Sequence, residues 1–152
     1  MLSARNVSVR YLRGTDPTPG TSERVAASVL LGGLTMFQAA LAAGAPWGRL
    51  AWSGSHEGTL PPQLRVASGV AAVLWGAATV AVAAELPHSP RRRRVFLRGV
   101  SGVCAVGAAL NLASPSVPER ALWAPVSAAV AVLTWRAARG IVVTDASADH
   151  AA

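Results

Sequence analysis

Residues 44–62 read GAPWGRLAWSGSHEGTLPP, and the stretch decides the fold because of what flanks it. Residues 25–45 and 66–86 are apolar runs of 21 residues each. At 1.5 Å of rise per residue, each is long enough as a helix to cross a hydrocarbon core of about 30 Å. Between them lies a segment of tryptophan, glycine, proline and polar side chains, which reads as a structured connector at a membrane surface. Two spans joined by a polar connector make a hairpin, and the rest of the chain extends that pattern.

Composition points the same way. Hydrophobic residues make up 52% of the 152 positions and charged residues 14%, where an ordinary soluble domain carries about a quarter charged. All 14 basic residues are arginine, and alanine, valine, glycine and arginine crowd the chain as a GC-rich bacterial genome would produce. A pI near 11.6 suggests nucleic acid in a soluble protein. Here the arginines cluster at the ends of apolar runs, where they set topology and meet anionic lipid, so nucleic-acid binding is not expected. Cys104 is the one cysteine, which excludes an intrachain disulfide and a cysteine metal site.

Residues 1–24 hold Arg5, Arg10, Arg13 and Arg24 around the turn-prone GTDPTPG of residues 14–20, and read as a basic mobile arm. In the first run Ala43, Gly44 and Ala45 resemble a signal-peptide cleavage site. The run is longer than a signal core, however, and Pro46 would follow the scissile bond, so it reads as a retained span. Gly32 and Gly33 favour close helix approach, and Thr35 and Gln38 are expected to turn toward a neighbour. The second run carries a small-residue ridge at Ser68, Ala72 and Gly76, with Trp75 mid-span and Glu85 near its end, placed to pair with the arginines that follow. A break at residues 87–90, PHSP, precedes Arg91, Arg92, Arg93 and Arg94.

Two shorter runs follow, residues 95–112 with a ridge at Ser101, Ala105 and Ala109, and residues 122–138 with Trp123 and Trp135 near its ends and Pro125 in its first turn. The membrane domain therefore spans residues 25–139, with a disordered tail expected over 140–152. The fold expected is all-α: an integral membrane four-helix bundle, antiparallel up-down, with a short extracytoplasmic cap. Eleven arginines lie in the arm, the middle connector and the tail, against Arg49, Arg65 and Arg120 on the other face. The positive-inside rule then places both termini in the cytoplasm of a bacterial plasma membrane.

The two outer connectors hold most of the remaining polar side chains. Arg49, His56 and Glu57 come from the first, Asn111, Glu119 and Arg120 from around the second, and with Trp75 they are the candidate binding residues. Ser116-Val117-Pro118-Glu119 has the spacing of a capping box, which explains part of this set by helix geometry alone. His56 and Glu57 offer an acid or base with a carboxylate, and Arg49 or Arg120 suits an anionic group. No zinc-protease spacing and no nucleophile elbow is present. A metal site needs at least three ligands, and only His56, Glu57 and Glu119 are on offer, so no catalytic residue, metal or cofactor is expected.

The segments GAPWGRLAW, GTLPPQLRVAS and NLASPSVPERALWAPV resemble those of a class of small four-span bacterial membrane proteins of unassigned function, typical of actinobacterial genomes. The resemblance covers residues 25–139. It implies an intact four-helix unit with the same outer segments, and brings no activity, cofactor or partner. The leading functional expectation is a non-enzymatic interaction or accessory subunit, acting through a homo-oligomer, a partner membrane protein or lipid, with anionic head groups at Arg91, Arg92, Arg93 and Arg94. The alternatives are a lipid or small-molecule pocket under the outer loops, catalytic or not, and a small homo-oligomeric channel or transporter.

Overall fold

A computed structural model describes residues 20–141; the expectations for the basic arm and the tail fall almost wholly outside them. The described residues form four helices and no strand: α1 Thr21–Ala43, α2 Pro62–Ala83, α3 Pro90–Leu112 and α4 Val117–Arg139. Each is long and apolar enough to cross a membrane, and at 22 or 23 residues each covers about 33–35 Å. The chain is a multi-pass membrane protein built as a four-helix bundle.

All four helices begin or end beyond the apolar runs, for local reasons. Arg91 to Arg94 lie inside α3 rather than before it, because Pro90 suits the first helical turn and arginine is a good helix former. α4 begins at Val117, capped by Ser116, whose hydroxyl oxygen accepts from the Glu119 amide at 3.3 Å. Pro125 consequently lies in the helix interior and not in its first turn, and the carbonyl of Ala121 is left without its usual amide. α1 ends at Gly44, in the left-handed region with φ 100°. Arg65 then closes this end by donating from Nε to the Ala42 carbonyl at 3.1 Å, a structural use for one of the three arginines on the poorer face.

Packing runs in the order α2, α1, α4, α3. α1 packs closely on α2, α4 on α3, and α1 on α4, while α2 and α3 barely touch. Between α1 and α2, Gly32 faces Thr79 and Gly76 faces Thr35, whereas Gly33 faces open space. Thr35 and Thr79 hydroxyls meet at 3.3 Å, and each also donates to its own helix. The ridge expected on α3 is rotated: Ala105 and Ala109 are exposed, and the buried face is Leu97, Val100, Ser101, Cys104 and Ala108. A strict four-residue spacing drifts around a helix of 3.6 residues per turn, so only Ser101 of the expected set meets α4, donating to the Ala131 carbonyl at 2.8 Å.

The interior divides into two apolar clusters. The larger fills the half toward the arginine-rich end and includes Ala27, Leu31, Val82, Leu97, Cys104, Val130 and Ala138, with Trp75 against it. The smaller, Leu41, Ala51 and Leu60 with Phe37 and Leu64, lies under the loop that joins α1 and α2. At the arginine end Glu85 pairs with Arg24 at 2.8 Å and with Arg93, tying the start of α1 and the start of α3 to the end of α2. Valines and leucines on the outer faces, such as Val29, Val73, Leu74, Val106 and Val132, are exposed, as surfaces turned to lipid rather than water require.

A candidate binding cavity beneath the loop

The loop over residues 45–61 is folded down onto α4. Ser116 Oγ donates to the Arg49 carbonyl at 2.8 Å, and Trp123 Nε1 donates to the Leu50 carbonyl at 2.7 Å. Trp52, Ser53 and Gly54 follow one another in the left-handed region, with φ of 53°, 65° and 66°, a conformation that disfavours the first two. The turn is held by its neighbours: Trp52 Nε1 reaches Ser68 Oγ at 3.1 Å, and a side chain at Gly54 would run into Ser116. Phe37 of α1 stacks on Trp47 at 5.9 Å between ring centres and tilts against Trp123 at 4.5 Å, so the loop shares an aromatic core with two helices.

Below this roof, between the two apolar clusters, lies a cavity of about 510 Å³. α1 contributes Leu34, Phe37 and Gln38, α2 contributes Trp75, and the loop contributes Ala51, Trp52 and Ser53. Along α4 the lining includes Glu119, Trp123, Ser127 and Val130, spaced three or four apart on one face, with Val126 beside them; along α3 it is Val103, Cys104, Gly107, Leu110 and Asn111. Val103 and Leu110 line the cavity and are nevertheless 60% and 69% exposed. The cavity therefore opens sideways, through the seam that α2 and α3 leave unclosed.

The polar groups are few and concentrated at the loop end. Glu119 is 8% exposed and takes a 2.5 Å hydrogen bond from Ser114 Oγ. That hydroxyl in turn accepts from the Ser116 amide at 3.2 Å, so Ser114 stands where the side chain of a full capping box would reach back. Arg120 turns away to donate to the Ser114 carbonyl at 2.9 Å. Among the described residues no arginine or histidine forms an ion pair with Glu119. Asn111 Nδ2 donates to Ser127 Oγ at 3.3 Å across α3 and α4, and the Gln38 Oε1 is buried without a partner.

Of the sequence-derived candidates, Trp75, Asn111 and Glu119 meet in this cavity. Arg49 and Glu57 do not: they form an exposed ion pair with each other on the loop's outer surface. His56 is half-buried in the loop with its Nδ1 unpartnered and its carbonyl packed against Gly48. Arg120 is spent on the turn before α4. Phe37, Trp52, Trp123 and Ser127 are contributors that residue type alone did not mark. The four-residue spacing of Glu119 and Trp123, and the inward placement of Gln38, were the available signals. Among the described residues no group of three or more metal-ligating side chains occurs.

No protein-family model matches the chain, and no curated protein and no solved structure is similar to it.

Proposed function

We propose that this is a protein of the bacterial plasma membrane, both termini cytoplasmic, which binds one small amphipathic molecule or lipid in the cavity beneath its extracytoplasmic loop. In this reading it acts by binding and not by catalysis. The observation that carries it is the cavity itself: about 510 Å³ falls within the range typical of ligand pockets, roughly 300–1,000 Å³, and the walls are apolar and aromatic with a few polar groups at one end. A molecule dissolved in the bilayer reaches it through the seam between α2 and α3. The distribution of arginines supports the orientation, and the exposed Arg91 and Arg92, with Arg93 and Arg94 beside them, suit anionic head groups at the cytoplasmic face.

The motifs that suggest the class of small four-span bacterial proteins coincide with this architecture. Trp47, Gly48 and Thr59 shape the loop, while Asn111, Ser114, Ser116, Glu119 and Trp123 build the roof and its attachment to α4. Native mass spectrometry from mild detergent tests the binding. Gly107 lines the cavity, and a Cβ there would meet only Ser127 Oγ, at 3.8 Å, so Gly107→Phe fills the space from a helix with room for it. The wild-type chain is expected to carry one amphiphile and the variant none; equal occupancy of the two, or none in either, counts against the proposal.

A further inference from the structure

The charge of the cavity narrows the class of ligand. We infer that the cavity selects an organic cation with an apolar body, such as a quaternary ammonium or phosphonium, over neutral or anionic molecules of the same size; this rests on the reading that the cavity takes a ligand at all. Three observations combine. A carboxylate, Glu119, sits 8% exposed in the lining and has no cationic partner among the described residues. A buried carboxylate held by one hydroxyl is under-compensated, and a cation arriving in the cavity supplies what the fold omits.

The second observation is aromatic. Phe37, Trp52, Trp75 and Trp123 all border the same space. The faces of such rings carry negative potential and attract cations, most effectively where water is excluded. Trp123 lies one helical turn below Glu119, so a cation can meet a ring face and the carboxylate together.

The third is the absence of a basic group to receive an anion. The indole N–H groups of Trp52 and Trp123 and the amide of Asn111 are bonded within the protein. No arginine or histidine lines the space. An anion meets the Glu119 carboxylate with no positive charge beside it. A cation, which needs no donor, finds a carboxylate and ring faces. The open seam between α2 and α3 admits only molecules that already partition into the bilayer, and a lipophilic cation does.

The test compares two ions of nearly the same shape and opposite charge, tetraphenylphosphonium and tetraphenylborate, with decanol as the neutral probe. Binding to the full chain in nanodiscs is read by equilibrium dialysis. Tetraphenylphosphonium is expected to bind at one per chain and tetraphenylborate not above its partition into protein-free discs. Glu119→Gln keeps the size of the side chain and an oxygen that can accept from Ser114; it should weaken tetraphenylphosphonium by about tenfold or more and change decanol far less. Glu119→Asp should retain part of the cation affinity. Equal binding of the two ions, or cation binding indifferent to Glu119→Gln, overturns the selectivity. Decanol bound without any cation preference leaves the cavity reading standing alone, and the absence of both removes the two together.

Discussion

One hydroxyl, that of Ser116, both caps α4 and helps fasten the roof of the cavity, and its removal is the most informative small perturbation. Ser116 Oγ accepts from the Glu119 amide at 3.3 Å and donates to the Arg49 carbonyl at 2.8 Å, so it caps α4 and fastens the loop at once. Loss of an N-cap costs about 1 kcal/mol, and the exposed bond to the loop adds about 0.5 kcal/mol. Ser116→Ala should therefore shift the opening equilibrium of the loop by about 0.5 kcal/mol, roughly twofold, and separately fray the first turn of α4 by about 1 kcal/mol. Amide hydrogen exchange reads this directly. The amides of Leu50, Ala51 and Gly54, which are bonded to Trp47, Gly48 and Ala51 carbonyls, should exchange about twofold faster, while amides at the middle of α1 keep their protection. Ser116→Thr retains the hydroxyl and should behave as wild type. Faster exchange confined to the first turn of α4, with the loop unchanged, would show that the loop is held by something other than Ser116 and would refute the reasoning.

Two further expectations concern packing and orientation. Ser101→Ala removes the buried bond to the Ala131 carbonyl and should cost only about 0.6 kcal/mol, the usual worth of an interhelical hydrogen bond in a membrane; Ser101→Leu should cost about 1–3 kcal/mol by overpacking the α3–α4 contact, both measured by unfolding in mixed micelles. Reporter fusions after Arg139 and within the loop at Ser55 should report cytoplasm and the opposite side respectively, and the reverse pattern would overturn the arginine argument.

The spans were legible in the sequence because length and apolarity are properties of a single segment. Helix ends were less so: Arg91 to Arg94 read as a connector, yet four good helix formers behind Ser89 and Pro90 continue α3 outward. The attachment of Ser116 to α4 was readable, since a capping pattern is local. The cavity was not. It exists because α2 and α3 fail to close on each other, a consequence of how two hairpins meet through α1 and α4, and no spacing within one helix records that. Trp52 and Trp123 read as interfacial anchors for the same reason, since their shared space is made by three separate segments. Arg49 and Glu57 attracted notice as chemistry-bearing residues, and they satisfy each other at the surface. Glu119 was explained in advance as part of a cap. It fills only half of that role, for Ser114 takes the other half and leaves the carboxylate facing the cavity.

The central claim is that the space between Trp75 and Glu119 is a ligand site, and an experimental structure with a heavy-atom amphiphile tests it most directly. Crystals grown from a lipidic phase with ω-bromodecanol should show an anomalous bromine peak inside the bundle, among Trp75, Cys104 and Trp123, which Gly107→Phe abolishes. Bromine found only along the outer faces near Val29 and Val73, with the cavity free of it, would contradict the account.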